Sequence, residues 1–289
     1  MGTNWSAHFV SDVALEGPLR AGFEAMFDDL IALCSAWSES SWLSRFNGSP
    51  SGSSREVPPS VVRLLDMAKI VHGQSRGAFD PGLGAEVARR GFVPPPSGLA
   101  TASPSAPTEG GLLAAYDGRT LIKQSGYDLD LNAIAKGYAV DRMADVMRLQ
   151  GIEHGLVEIG GEYVGRGFKP DRSPWIVRLE PVHAEGAIVD VALMGLTLAT
   201  SGDTARQVVV DGHTLSHIVT QASTVPEPSG GSVTVIHETC AMADAWATAL
   251  FAAGTEQGLS LANENNLGAI FLRQGHEPVL SSRAESWLA

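Results

Sequence analysis

The stretch that decides the fold is "CAMADAWATALFAAG", fifteen residues from Cys240 to Gly254. Alanine, leucine and methionine favour helix, and apolar side chains cover nearly every side, so the stretch predicts a buried helix that ends at Gly254. It contains one charged side chain, Asp244, and the hydroxyl of Thr248 follows four positions later. Positions i and i+4 share one helical face, so these two groups can converge on one point.

Asp244 has two interpretations. An ionised carboxylate in an apolar helix is costly unless a cation or a hydrogen-bond donor meets it. Two oxygens directed at one place suit a hard cation such as Mg²⁺. Alternatively, Asp244 caps a loop or pairs with a buried arginine, and Thr248 is neutral core. The helix alone leaves both interpretations open.

The composition excludes several classes of protein. The 20 Lys and Arg residues against 32 Asp and Glu give a net charge of −12, which argues against a nucleic-acid surface. A polyanionic ligand would therefore bind together with a metal or on backbone amides. The two cysteines, Cys34 and Cys240, indicate neither a disulfide framework nor a zinc cluster. The apolar helix is too short to span a bilayer and the N-terminus lacks a signal-peptide pattern, so we expect a cytoplasmic protein without membrane insertion.

The chain is predicted to be one α+β domain over residues 1–289, with mixed or antiparallel sheets, packed helices and a strand-rich second half. Helices are predicted at 19–37, 60–74 and 133–150, and "SSWLSRFNGSPSGSS" (40–54) is predicted to be a loop. The Pro-, Ser- and Gly-rich residues 94–111 predict a long surface loop that could divide the domain into two lobes. Strands are predicted at 119–123, 127–131, 155–164 (interrupted by a double glycine), 175–179, 187–193, 196–200, 232–237 and 268–273, with a hairpin over 206–219 that turns at Asp211–Gly212.

Several short stretches combine glycine with single polar residues. "GAFDPGLG" (77–84) would let backbone approach a ligand closely, or it is an ordinary turn. "DLDLNAIAKGYAVDRMADV" (128–146) runs from a predicted strand into a helix whose first amides could meet a phosphate. In this stretch Asp130 and Lys136 either flank a ligand or serve as a helix cap and a solvated side chain. The phosphate-binding motifs of the usual nucleotide folds are absent from the sequence.

Taken together and in order, these stretches resemble the ApbE-type flavin transferases, the FAD:protein FMN transferases. The matching segments cover nearly the whole chain and are "MGT" (1–3), "GAFDPGLG" (77–84), "DLNAIAKGYAVD" (130–141), "EIGGE" (158–162), "ATSGD" (199–203), "SHIVTQ" (216–221) and "ADAWAT" (243–248). Each segment is a weak signal by itself, and seven of them in one order are a specific one.

The resemblance implies an α+β fold that binds FAD with Mg²⁺ at its diphosphate and passes the FMN half to a threonine hydroxyl of an acceptor protein, releasing AMP. The metal ligands would be Asp244, Thr248 and the main-chain carbonyl of Ala133, and Mn²⁺ accepts the same oxygen donors. His217 matches the general base, and Asp203 is expected to orient it. Residues matching those that line the flavin nucleotide are Met1, Ala78, Phe79, Asp80, Asp130, Lys136 and Ile218.

The segment after His217 departs from the family pattern H-I-I-D-P-x-T-G. Here His217 is followed by "IVTQASTVPEPSG". Thr220 and Gln221 stand where the family has its aspartate and proline, and the glycine that follows closely in the family is also missing at its position. In addition, Asn132 replaces the first glycine of the family's G-G-I. Two alternatives to the transferase are a hydrolase that splits FAD into FMN and AMP with water in place of threonine, and a flavin-binding protein without the chemistry, which this departure favours.

Overall fold

The structure is a computed structural model that describes residues 2–95, 111–180, 188–202, 207–210, 213–216, 218–219 and 231–288. Within these residues the α-helices are Glu16–Cys34 (α1), Trp42–Asn47 (α2), Pro59–Gln74 (α3), Gly84–Arg89 (α4), Asn132–Leu149 (α5), Cys240–Ala253 (α6), Thr255–Glu264 (α7) and Ser282–Leu288 (α8). The strands are Trp5–Phe9 (β1), Ser54–Glu56 (β2), Thr120–Ile122 (β3), Gly155–Ile159 (β4), Glu162–Arg166 (β5), Trp175–Leu179 (β6), Val189–Leu193 (β7), Thr197–Gly202 (β8), Gln207–Val210 (β9), His213–Ser216 (β10), Ser232–His237 (β11), Gly268–Leu272 (β12) and Val279–Leu280 (β13).

A seven-stranded sheet forms the centre of the described structure. Its strand order is β1-β4-β5-β8-β11-β12-β13, and every neighbouring pair is antiparallel. Three antiparallel pairs, β2–β3, β6–β7 and β9–β10, lie outside this sheet. Antiparallel sheets packed with helices confirm the predicted α+β class.

Helix α6 is buried, as its sequence predicts, and it ends at Gly254, which has a φ of 77°. Nine of its fourteen side chains are buried, including Trp246 at 1% exposure. The helix packs against α5, β8 and β11. A helix at the surface needs apolar residues on one side only. This helix is buried on nearly every side, which explains why its sequence is apolar almost throughout.

Gly137 and Asp141 on helix α5 both contact the first turns of α6. A Cβ built on Gly137 would lie 2.2 Å from the carbonyl oxygen of Cys240 and 2.8 Å from the Cβ of Asp244, so only glycine permits this approach. The carboxylate of Asp141 accepts hydrogen bonds from the backbone N–H groups of Cys240 (2.8 Å) and Ala241 (2.9 Å). These amides at the start of α6 have no partner within their own helix, and α5 supplies one.

The "GAFDPGLG" loop is pinned to the entry of α5. The N–H of Asp130 donates to the carbonyl of Pro81 (2.7 Å), and the N–H of Gly84 donates to the carbonyl of Asp128 (2.8 Å). A Cβ on Gly84 would lie 2.7 Å from that same carbonyl oxygen, so the close approach requires glycine here. Two of the sequence stretches with candidate site residues therefore lie side by side.

The predicted strand at 127–131 is wrong. Leu83 and Asp128 form a single isolated bridge, and the segment bonds to the 81–84 loop instead of to a strand. The prediction of a loop at 40–54 is also wrong in part, because the segment contains α2 and the first residue of β2. Ser41 begins α2 by accepting a hydrogen bond from the N–H of Ser44 (2.9 Å), a cap that the serine-rich sequence conceals.

The predicted strand 155–164 is a hairpin. Strands β4 and β5 pair antiparallel up to Ile159 and Glu162, and Gly160 and Gly161 between them have φ values of 59° and 102°. Positive φ at both positions is what a two-residue hairpin turn requires, so the double glycine reverses the chain. The other predicted hairpin is confirmed by the pairing of β9 with β10, although its turn, residues 211–212, lies outside the described residues.

Residues 96–110 of the predicted Pro-rich loop also lie outside the described residues. Both cysteines are free thiols in the structure. None of the helices in the described residues combines the length and the apolar composition needed to cross a bilayer.

Candidate active site

Three of the motif stretches bring ionisable side chains together. Lys136 on α5, Glu162 at the start of β5 and Asp244 on α6 form one group, here called the lysine–carboxylate cluster. The Nζ of Lys136 lies 2.6 Å from Oε1 of Glu162 and 3.3 Å from Oδ1 of Asp244. Glu162 and Asp244 are 1% and 2% exposed, whereas the Lys136 side chain is 33% exposed. The cluster therefore places two buried acids beside one lysine whose side chain is partly exposed.

Both carboxylate oxygens of Asp244 have donors. Oδ1 faces Lys136, and Oδ2 accepts the backbone N–H of Gly137 at 2.9 Å. The buried charge thus has a cationic partner, which is a lysine and not the arginine of the alternative interpretation. The close approach at Gly137 makes the second hydrogen bond possible, because a side chain at that position would push the two helices apart.

The charges of the cluster shift one another's pKa values. Burial alone would lower the pKa of Lys136, but the carboxylates of Asp244 and Glu162 more than offset it, and the net pKa is raised. Lys136 is therefore an ammonium throughout the physiological range. Burial raises the pKa of Glu162, and the Lys136 ammonium opposes that shift. Among the described residues, Oε2 of Glu162 has no hydrogen-bond partner.

Thr248 lies one turn after Asp244 on α6 and is half-buried. Its hydroxyl lies 3.1 Å from the hydroxyl of Ser201, which is at the end of β8 in the "ATSGD" segment. A fourth motif stretch therefore reaches the neighbourhood of the cluster. The hydroxyl of Thr248 therefore has a polar partner, whereas the interpretation of Thr248 as a neutral core residue gave its hydroxyl no role.

The donors on α5 and α6 fit Mg²⁺ by their chemistry, since all of them are oxygens. Asp244 supplies one carboxylate and Thr248 one hydroxyl. In an α-helix the carbonyl of Ala133 would accept its hydrogen bond from the N–H of Gly137. That N–H also donates to Asp244, so the Ala133 carbonyl does not have this donor to itself. No group of three or more His, Cys, Asp and Glu residues suited to a metal occurs in the described residues, but Mg²⁺ needs only one or two carboxylates when substrate phosphates complete its shell.

The predicted flavin-lining residues of "GAFDPGLG" differ in exposure. Phe79 is 3% exposed, its N–H donates to Oγ of Ser75 (3.1 Å), and its carbonyl lies 2.8 Å from Nδ1 of His72. Its ring therefore belongs to the core, while Ala78 and Asp80 on either side are partly exposed. Oδ1 of Asp80 accepts the N–H of Gly82 (2.7 Å), which shapes the loop.

Asp130 caps the first turn of α5. Its Oδ1 accepts the N–H of Asn132 (2.9 Å) and the side-chain amide of Asn132 (2.6 Å). Burial raises the pKa of Asp130, and these hydrogen bonds oppose the shift. A cleft beside this residue is lined by Ser44, Asn47, Gly84, Ala88 and Asp128. Asp130 therefore both caps a helix and borders a cleft next to the "GAFDPGLG" loop.

Of the remaining predicted residues, the structure describes only Ile218. Ile218 is 7% exposed. Met1, Asp203 and His217 lie outside the described residues, so their roles stay predictions.

Sequence reasoning missed Glu162 and Asp141 as members of the site. The signal for Glu162 was an acidic residue on the inward-facing side of "EYVGR", where Val164 is also buried. The signal for Asp141 was weaker, because this residue caps a helix that is 99 positions away in the sequence, and such a cap leaves no local sequence pattern.

Comparison with known proteins agrees with this architecture. The ApbE family model matches residues 1–271. A FAD:protein FMN transferase of Klebsiella pneumoniae (strain 342) is 30% identical over 292 residues, covering 94% of this chain and 82% of the relative. A FAD:protein FMN transferase of Vibrio cholerae serotype O1 is 30% identical over 289 residues, covering 94% of this chain and 85% of the relative.

Solved structures give the same result. The apo form of the Pseudomonas stutzeri flavinyl transferase ApbE has a TM-score of 0.83 at 31% identity, covering 98% of this chain and 93% of that one. The flavin transferase ApbE from Vibrio cholerae has a TM-score of 0.83 at 28% identity, covering 100% of this chain and 96% of that one. The resemblance noted in the sequence is thus confirmed, and this chain belongs to the ApbE family.

Proposed function

We propose that this protein is an FAD:protein FMN transferase that uses Mg²⁺. A threonine hydroxyl of an acceptor protein attacks the FMN phosphorus of FAD, the phosphoanhydride bond to AMP breaks, and the hydroxyl proton leaves. The observation that carries the proposal is the buried carboxylate of Asp244, which shares one face of α6 with the Thr248 hydroxyl beside the Lys136 ammonium. That arrangement occurs in a chain whose relatives bear the name FAD:protein FMN transferase.

Asp244, Thr248 and the carbonyl of Ala133 would hold the cation, Mg²⁺ or Mn²⁺. A divalent cation held there would neutralise charge on the diphosphate and on the leaving AMP. Lys136 adds a fixed positive charge, since its pKa is raised and its side chain is one-third exposed. With a net charge of −12 on the chain, such local positive groups are needed to receive a polyanion.

The other predicted residues take proposed roles around this centre. Ala78, Phe79 and Asp80 lie in the "GAFDPGLG" loop, and its later residues Pro81 and Gly84 are hydrogen-bonded to the entry of α5. We assign this side, where Asp130 also lies, to the flavin nucleotide together with Met1 and Ile218. His217 is the proposed general base, since a histidine has an unperturbed pKa of about 6.5 and can accept the proton of the attacking hydroxyl. Asp203 is proposed to orient it.

We further propose that residues 1–289 form one domain. One cluster of buried apolar side chains extends from Leu19 in α1 to Phe271 in β12, which supports a single unit better than two independent lobes. A cytoplasmic location stays a prediction from the sequence.

The test of the function is to incubate the protein with FAD, Mg²⁺ and a panel of acceptor domains that carry a threonine motif. We expect a mass increase of one FMN moiety on the acceptor and release of one AMP per adduct, both abolished by EDTA. AMP without an adduct would identify the hydrolase, with water as the nucleophile. FAD binding with neither product would identify a flavin-binding protein, in agreement with the altered sequence after His217.

Two substitutions test the assigned roles within that assay. Asp244→Ala should abolish the metal-dependent formation of AMP and adduct. His217→Ala should keep FAD affinity and slow the transfer by about 10² to 10⁴-fold, the usual contribution of a general base. Loss of FAD binding in the histidine variant would show that the residue binds the flavin and does not act as the base.

A further inference from the structure

Glu162 is a buried acid to which the reaction above gives no role. It lies directly after the Gly160–Gly161 turn at the first position of β5, so the hairpin fixes its backbone. The side chain is 1% exposed, and only Oε1 has a partner among the described residues. A buried carboxylate with one oxygen unpaired is unfavourable for folding, so its presence needs an explanation beyond stability.

The ammonium of Lys136 is divided unequally between two carboxylates. It lies 2.6 Å from Glu162 and 3.3 Å from Asp244. Charge-assisted N–H···O hydrogen bonds are typically about 2.7 to 2.9 Å long, so the contact with Asp244 is the weaker of the two. Glu162 is therefore the principal partner of Lys136, and Oδ1 of Asp244 keeps capacity for another cation.

Removing the charge of Glu162 changes this division. The ammonium would then have Asp244 as its one anionic partner within the cluster, and Coulomb attraction would shorten the 3.3 Å contact. A lysine bound closely to Asp244 occupies the oxygen that a divalent cation needs. Competition between Lys136 and the metal is thus built into the cluster, and Glu162 decides its outcome.

We propose that Glu162 is a positioning residue that holds the Lys136 ammonium away from Asp244, so that Asp244 can bind a divalent cation. The inference rests on the proposed function in one respect, the assignment of Asp244 as a metal ligand. Glu162 acts through Lys136 and contacts neither the metal nor the reacting atoms.

The test is a double-mutant cycle on metal affinity. Mn²⁺ binding is titrated by electron paramagnetic resonance, without FAD and again with FAD, for wild type, Glu162→Gln, Lys136→Gln and the double variant. Glutamine keeps hydrogen-bonding groups at both positions, so neither single variant leaves a buried charge without any polar partner. Thermal melts of all four proteins establish that they are folded.

We expect Glu162→Gln to weaken Mn²⁺ binding by about tenfold, and Lys136→Gln in that background to recover most of the loss. In the wild-type background and without FAD, the lysine substitution should change Mn²⁺ affinity by less than about threefold, because Glu162 already restrains the ammonium. A second variant, Glu162→Asp, keeps the charge but shortens the side chain by one methylene group, so it should lengthen the contact with Lys136 and weaken Mn²⁺ binding by less than the glutamine does.

The outcomes separate this inference from the function on which it rests. If Glu162 attracted the cation only through its charge, the two substitutions would be additive and Glu162→Asp would bind Mn²⁺ normally, and either result overturns the positioning role. If wild type binds no Mn²⁺ in either condition, the metal site itself is wrong and this inference falls with it. Glu56→Gln, the same substitution in the exposed pair with Arg119, is the control and should leave Mn²⁺ affinity unchanged.

Discussion

Replacing Gly137 with alanine should force α5 and α6 apart. The added Cβ would lie 2.2 Å from the carbonyl oxygen and 2.6 Å from the carbonyl carbon of Cys240, and 2.8 Å from the Cβ of Asp244. All three atoms are backbone or are attached directly to it, so no side-chain rotation relieves the contact. Ordinary contact begins near 3.4 Å, so the helices must separate by about 1 Å.

The size of the effect follows from two opposing contributions. Overpacking of a core costs about 1 to 3 kcal/mol, and a clash with rigid backbone belongs at the upper end. Alanine in place of glycine within a helix returns about 1 kcal/mol. We therefore expect the free energy of unfolding to fall by about 2 kcal/mol. The shift should also lengthen the hydrogen bond from the N–H of residue 137 to Asp244, and weaken Mn²⁺ binding by about tenfold.

Gly73 in α3 provides the matched control. It is an exposed helical glycine, and an added Cβ would have no atom of the described structure within 4 Å. Gly73→Ala should stabilise the protein by up to about 1 kcal/mol. Urea denaturation followed by circular dichroism compares the midpoints of wild type and both variants. Equal stability of the two alanine variants would refute the argument that the helix contact at Gly137 has no room for a side chain.

Substitutions at three further positions test other contacts of the structure. Thr248→Val should weaken Mn²⁺ binding by about tenfold and leave the Ser201 hydroxyl without its partner, whereas Thr248→Ser should bind normally in the same titration. Burial raises the pKa of Asp141 from 3.8 to about 6, so the folded state binds this proton more tightly and the free energy of unfolding should fall as the pH rises from about 4 to about 6. Asp141→Asn should remove that decline, as measured by urea midpoints across the range. Lys123→Met should destabilise the protein by about 3 kcal/mol in the same denaturation assay, because it leaves the largely buried Asp128 without its cation.

The sequence predicts elements well where one local pattern decides them. Strand 175–179 alternates between buried and exposed side chains, and strand 232–237 is a short apolar run that is buried on both faces. For these strands and for the long helices, the predicted bounds agree with the observed ones within a few residues. Residues 127–131 show the limit of this reasoning. Leu129 and Leu131 are each 1% exposed, so the alternation correctly predicts an inward face, but it says nothing about whether a neighbouring strand is present to pair with the segment.

The candidate site divides in the same way. Asp244 and Thr248 are close because they are four positions apart on one helix, and this spacing is visible in the sequence. The partner of Asp244 is not visible, because Lys136 is 108 positions away and reaches it only after α5 has packed on α6. Glu162 lies 26 positions after Lys136 in the sequence. Its place depends on the hairpin turn between β4 and β5, which the sequence analysis interpreted as an interruption in one strand.

The α5 segment "AKGYAVD" contributes three separate things to α6: the ammonium of Lys136, the close approach and N–H of Gly137, and the cap from Asp141. All three stabilise a buried carboxylate or a helix end. The packing of α5 on α6 is therefore enough to explain why this segment resembles the family, without any role in ligand binding. Resemblance here is therefore weak support for chemistry, and stability and metal affinity must be measured separately. A Gly137 substitution that lowers both, beside a Glu162 substitution that lowers metal affinity alone, would distinguish the residues that build the site from the one that adjusts it.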